Sequence, residues 1–203
     1  MSDLLTALDG ERLSRDDFIR DYEDRVLGIG EAGFWKFERR QNFQERNNTS
    51  WDAFVGGDWN KVIQLLNERN DDLRAYVERH TARGIPLNRV RVVEEPISPY
   101  LLWELRSLRQ RAECGEHIRV IRPDRIAGHE NETELPEIVV LGKEAVYQVL
   151  YTEDALADGA IRSLDSRTVT RLREFIVSLH ASAENVISFF HREVAPLLPP
   201  VAR

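Results

Sequence analysis

Between Gly84 and Arg122 the chain changes its hydrophobic period twice, and this limits the fold more than any other feature of the sequence. Val90, Val92 and Val93 are β-branched and lie between Pro86 and Pro96, which predicts a strand near Arg89 to Glu94. Ser98 and Pro99 then form a helix start. Leu101, Leu102, Leu105 and Leu108 recur on one helical face, and Cys114 with Gly115 ends it. Ile118, Val120 and Ile121 return to an extended pattern. Further strands are expected at Ile138 to Leu141, Ala145 to Tyr151 and Gly159 to Leu164. A final helix, capped by Asp165 or Ser166, carries Val169, Leu172, Phe175, Ile176, Leu179, Ala183 and Val186. This order predicts an α+β or α/β fold: a mixed, partly parallel sheet of about five strands flanked by helices.

Ahead of that unit the signals are mainly helical. Ser14 followed by Asp17 marks a helix start, and Phe18, Ile19, Tyr22 and Val26 follow at helical spacing, giving a helix over about Arg15 to Leu27. Gly33 to Arg46 fits either state: Phe37, Arg39, Gln41 and Phe43 alternate as on a strand, while Phe34, Phe37 and Gln41 share a helix face. Asn47 to Ser50 reads as a polar loop. After the turn at Gly56, Gly57 and Asp58, one long helix with Trp59, Ile63, Leu66, Leu73 and Val77 as its stripe runs to Gly84 and Pro86. The expected organisation is a mostly helical region over residues 1–83 and an α/β domain over 84–203, which can join as one compact unit. Pro123 to Pro136 reads as an exposed loop.

Composition narrows the classes of function. With 42% hydrophobic residues in 203, a core forms without covalent staples, and the single cysteine excludes an internal disulfide. The start MSDLLTALDGERLSRDD carries acids where a secretory signal needs a basic and then an apolar region, so the expected location is the cytoplasm. No apolar run approaches the ~20 residues that span a bilayer. A net charge of -7 opposes bulk attraction to phosphate backbones or anionic lipid, so neither direct nucleic-acid contact nor membrane binding is expected.

Charged and aromatic side chains concentrate around the first predicted crossover. Arg89, Arg91, Glu94, Glu95, Tyr100, Glu104 and Arg106, with Glu116 beyond the helix, place guanidinium groups, carboxylates and a phenol near one strand end, where open α/β sheets bind ligands. Arginine forks suit a phosphate or carboxylate, and the same residues also make structural ion pairs at a strand edge. The candidate ligand or partner site is therefore Arg89, Arg91, Glu94, Tyr100, Glu104 and Glu116. His117, Arg119 and Asp124 match H-x-[KR]-x4-D with arginine for lysine. That spacing is similar to the signature of phospholipase D-like phosphodiesterases, in which a histidine attacks phosphorus and two motifs converge. Cys114, Glu116, His117 and His129 lack the paired spacing of a zinc site, so neither metal nor other cofactor is expected.

The segments RVRVVEEP (Arg89 to Pro96), PYLLWEL (Pro99 to Leu105), CGEHIRV (Cys114 to Val120), LPEIVVL (Leu135 to Leu141) and VYQVLY (Val146 to Tyr151) together resemble an uncharacterised family of small actinobacterial proteins, over roughly residues 34 to 195. Members are commonly encoded beside helix-turn-helix regulators. Arg89, Arg91, Val93, Pro96, Tyr100, Glu104, Gly115 and Glu116 match the recurring pattern, which implies no established activity. The leading expectation is a non-enzymatic cytoplasmic module that binds a helix-turn-helix regulator or a small anionic ligand, with a homodimer as one arrangement. The alternative is a degenerate phosphodiesterase or nuclease working as a dimer through His117, Arg119 and Asp124.

Overall fold

The computed structural model describes residues 8–130 and 133–197. Eight strands form one mixed sheet in the order β1-β7-β6-β5-β2-β3-β4-β8: β1 Glu11–Leu13, β2 Phe34–Glu38, β3 Leu87–Val92, β4 His117–Ile121, β5 Ile138–Leu141, β6 Ala145–Tyr151, β7 Ala157–Ser163 and β8 Glu184–Asn185. Only β2, β3 and β4 run parallel; every other neighbour is antiparallel. The two parallel steps need crossovers. The first passes through α2 (Thr49–Val55), α3 (Trp59–Glu68) and α4 (Asn70–Thr81), the second through α5 (Pro99–Glu113).

The sheet has eight strands where the sequence predicts about five, and the first 83 residues are not mostly helical, because β1 and β2 belong to the sheet. In the ambiguous Gly33 to Arg46 segment, Phe34 to Glu38 is a strand whose alternation serves two cores. Phe34 packs with Leu87 and Leu141 on one face, and Phe37 with Val90 and Phe175 on the other. Thr49 to Val55 forms α2, capped by the Asn48 side chain. The single long helix expected after Asp58 is two, broken between Glu68 and Asn70, so Leu66 and Val77 reach different clusters. The helix expected to be the final one, α6 (Ser166–Ser182), stops where Ala183 turns extended and Glu184–Asn185 pairs with β4; α7 (Val186–Phe189) follows. Of the loop expected over Pro123 to Pro136, Pro123–Arg125 is a short 3-10 turn, and residues 131 and 132 lie outside the described residues.

Two features of the chain position these elements. Helix starts follow the local capping chemistry: Ser14 accepts from the Asp17 N–H, Ser98 from Leu101 and Asp165 from Thr168. Packing does the rest. Helix α6 covers one face through Val169, Leu172, Phe175, Ile176 and Leu179. The opposite face is covered from its two ends: α2, α3, α5 and α7 pack over the β3–β4 side, and α1 (Arg15–Val26) packs against β7 and β6 through Phe18 and Tyr22. Between these two coverings the sheet face stays open.

Gly33 sets the entry into β2. Its φ is +76°, and a Cβ there would sit 2.7 Å from Pro86 Cγ and 2.9 Å from the Pro86 carbonyl oxygen, inside the β2–β3 pair. Gly33→Ala is expected to lower the unfolding free energy by about 1–3 kcal/mol in urea titration. Gly28→Ala, whose Cβ would come no nearer than 3.5 Å to Arg25, is expected to change it by less than about 0.5 kcal/mol. Equal effects of the two would refute a special requirement at Gly33.

Candidate functional site

Strand alternation puts Lys36 and Glu38 of β2 on the same face as Arg89 and Arg91 of β3, while Phe37 and Val90 face α6. The parallel register places Lys36 beside Arg89 and Glu38 beside Arg91. Glu38 becomes the hub. Arg89 Nη1 donates to both of its carboxylate oxygens at 2.9 and 2.8 Å, and Lys36 Nζ lies 2.5 Å from Oε1. Burial alone pushes the Glu38 carboxyl up, but the Arg89, Lys36 and Arg91 charges outweigh it and hold it well below the usual range.

Arg91 is wholly buried (0% exposed). Its Nε donates to Glu104 Oε2 of α5 at 2.8 Å and its Nη1 to the Val92 carbonyl at 3.0 Å, while its Nη2 has no partner among the described residues. Burial raises the Glu104 carboxyl above its ordinary value even though Arg91 opposes the rise.

The open stretch of sheet is the floor of a cleft of about 630 Å³. Phe34, Lys36, Leu87, Arg89, Val139 and Val149 line the floor, from β2, β3, β5 and β6. Phe18, Ile19 and Tyr22 of α1 form one wall. On the other side stand Leu73 and Tyr76 of α4, Arg69 just before it, and Arg111 of α5 with Glu116. Arg111 Nη1 lies 2.5 Å from Glu116 Oε1, and Arg89 Nη2 is 3.9 Å from Glu116 Oε2. The Tyr22 and Tyr76 hydroxyls meet at 3.3 Å, joining α1 to α4. Burial, with Tyr76 beside it, pushes the Tyr22 phenol far above its ordinary value, so it stays protonated at every ordinary pH.

Arg89 and Glu116, named from the sequence, line this cleft. Arg91 and Glu104 form the buried pair beside it. Glu94 accepts from Arg39 Nη1 at 2.7 Å, in a cluster where Arg39 also binds Glu130 at 2.7 Å, and the Tyr100 hydroxyl donates to Glu45 at 3.0 Å. Arg106 packs over Trp59 and Phe190, away from the strand end.

His117, Arg119 and Asp124 are not brought together. His117 opens β4, with its Nδ1 3.3 Å from Asn88 Oδ1, and Arg119 donates to the Ala183 carbonyl. Asp124 sits in the turn beyond Ile121, itself some 13 Å from His117 at ~3.3 Å per strand residue. Nothing in the arrangement supports phosphodiester chemistry. Among the described residues, no three His, Cys, Asp or Glu side chains group to hold a metal ion.

Sequence reasoning missed Lys36, Glu38, Tyr22, Arg69, Tyr76 and Arg111. The alternation Lys36, Phe37, Glu38 was the available signal for the first two, with one charged and one apolar face. The others come from separate helices, and no local spacing unites them.

Removing one member of the Arg91–Glu104 pair leaves the other charged and buried. Arg91→Ala and Glu104→Ala are each expected to lower unfolding free energy by about 3–5 kcal/mol in urea titration. Arg91→Met with Glu104→Leu is expected to recover most of that loss. Single variants as stable as the parent would show the pair to be dispensable.

Glu137, just before β5, joins the same cluster. Its Oε1 accepts from the Arg39 and Arg40 backbone N–H groups, both at 2.7 Å, and its buried Oε2 has no partner among the described residues. Burial, aided by the Glu38 charge, pushes its carboxyl from 4.5 up to about 7, against Arg91 and the two N–H donors. A proton is therefore held by the native state and not by the unfolded chain between these values. The resulting stabilisation is complete below pH 4.5 and is lost as pH rises through about 7. Glu137→Gln is expected to remove this loss, so that the difference in unfolding free energy between parent and variant changes by about 3 kcal/mol across the window. A difference independent of pH would refute the assignment.

No curated protein and no solved structure matches the chain. A family model described as a domain of unknown function, DUF6879, matches residues 21–191, which takes in every strand from β2 to β8 and all of the cleft lining except Phe18 and Ile19. With most of its length matched, the chain belongs to the family of that domain of unknown function, DUF6879.

Proposed function

We propose that the protein is a non-enzymatic regulatory module that binds a small anionic ligand in the cleft between α1 and α4. The observation that carries this reading is the cleft itself. Its volume of about 630 Å³ falls in the range of small-molecule sites, and its lining is largely apolar and interrupted by Lys36, Arg69, Arg89 and Arg111. Its exposed acids, Glu23 and Asp72, are on the two helices and not on the sheet floor. An anion entering there meets guanidinium and ammonium groups on a low-dielectric surface, where their attraction is less screened than in water.

The partner side of the proposal rests on the resemblance to small actinobacterial proteins encoded beside helix-turn-helix regulators. In this reading the module works in the cytoplasm, and ligand capture alters its contact with such a regulator or with a second copy of itself. The phospholipase D-like spacing enters only as a distant likeness, without its chemistry.

Titration of the ¹⁵N-labelled chain with a panel of carboxylates and phosphate monoesters, with neutral amides as controls, tests the site. Anions are expected to shift the amide resonances of Lys36, Tyr76, Arg89 and Arg111, and Arg111→Gln is expected to weaken binding about tenfold. If no anion moves these resonances, or if the shifts gather elsewhere, the cleft is not the ligand site.

A further inference from the structure

We infer that the ligand of this cleft is an amphiphilic monocarboxylate, its head group held at Arg69 and Arg111 and an extended apolar body lying across the sheet floor toward α1. This rests on the cleft being the ligand site. The cations of the lining differ in their pairing. Lys36 and Arg89 are both engaged by Glu38, and Arg111 by Glu116. Arg69 is half-buried between α3 and α4 and has no carboxylate within salt-bridge distance among the described residues. Burial and the like charge of Arg111 both pull its pKa below the ordinary arginine value, while Glu45 and Asp72 act the other way. A guanidinium held beside a second guanidinium, without a salt bridge of its own among the described residues, is a fork for one carboxylate. A dianion would bring a second negative charge onto a lining that is mostly apolar, with only already paired cations to meet it.

The remainder of the cleft is largely apolar. Phe18, Ile19 and Tyr22 present apolar surface on α1, and Ile19 is 37% exposed on a helix that otherwise turns charged residues to solvent. The floor adds Phe34, Leu87, Val139 and Val149. That floor crosses β6, β5, β2 and β3, which is about 14 Å at ~4.8 Å between strands. An alkyl chain of about ten to twelve carbons covers the same distance, at ~1.25 Å per carbon for C–C bonds of ~1.5 Å. Apolar area of this kind is released from water by such a chain and not by a compact anion such as inorganic phosphate.

Isothermal titration of the full chain with hexanoate, decanoate and dodecanoate, below their micellar concentrations, tests the assignment. Decyltrimethylammonium, dodecyl phosphate and inorganic phosphate serve as comparisons. Dodecanoate is expected to bind with one-to-one stoichiometry, and affinity is expected to fall about fourfold for each methylene removed. Arg69→Gln and Ile19→Asp are each expected to weaken dodecanoate at least tenfold without altering the circular dichroism spectrum, and the alkylammonium ion is expected not to bind.

An affinity independent of chain length, unchanged binding in Arg69→Gln, or tighter binding of dodecyl phosphate would overturn the monocarboxylate assignment. The cleft reading would survive these results as long as some anion still shifts Lys36 and Arg111 in the labelled protein. If no anion perturbs those residues, both fall together.

Discussion

The parallel pairing of β2 with β3 is the constraint on which the rest depends. It sets Lys36, Glu38, Arg89 and Arg91 side by side on one sheet face, and a charge in such a place is tolerated only when it is paired. Glu38 answers two cations and Glu104 answers Arg91, which fixes α5 over β3 by a bond as well as by its leucines. Glu116, at the end of the second crossover, takes up Arg111 and approaches Arg89. The ion pairs thus run from β2 through β3 to both ends of the α5 unit. Buried networks of this kind contribute less to net stability than their number implies, because each ion is desolvated; what they set is register, since a slip of one residue would place every charge against α6.

That network also explains why part of the sheet is left open. The face toward α6 is apolar along β2, β3, β5 and β6, and one long amphipathic helix covers it. The other face is apolar at its ends and mixes apolar with charged residues in the middle. Ile118 and Val120 attract α5 and α7 on one side, and Tyr147 and Ala160 attract α1 on the other. In between lie Lys36 and Arg89, over which a closely packed helix would have to desolvate cations that already share one carboxylate. The cleft occupies this gap. Its bottom is sheet and its sides are two helices that meet through a contact between the Tyr22 and Tyr76 hydroxyls.

Local signals accounted for much of the fold. The β3, α5, β4 unit, the strands β5 to β7 and the helix starts at Ser14, Ser98 and Asp165 all follow from period and capping, which act within a few residues. The misses share a different cause. β1 and β8 are three and two residues long, too short for any period, and exist because β7 and β4 offer them an edge. The Phe34 to Glu38 segment has an apolar residue on each face, Phe34 toward the cleft and Phe37 toward α6, which blurs the alternation a one-sided strand would show. At the site, Arg89 and Glu116 stood out as charges beside the crossover. Arg69, Arg111, Tyr22 and Tyr76 did not, since each reads as an ordinary surface position of its own helix.

What this sequence determined by itself is therefore the set of elements with strong local chemistry: the crossover, its capped helix, the antiparallel strands that follow and the final amphipathic helix. Tertiary structure alone decided that β2 stands in the middle of the sheet, that the charged residues of β2 and β3 face one another, and that α1 and α4 wall a cleft above them. The physical reason is range. Capping and periodicity are satisfied between neighbours in the chain, whereas the pairing of Glu38 with Arg89, 51 residues apart, and the contact of Tyr22 with Tyr76, 54 apart, become favourable only once the sheet has brought distant segments together.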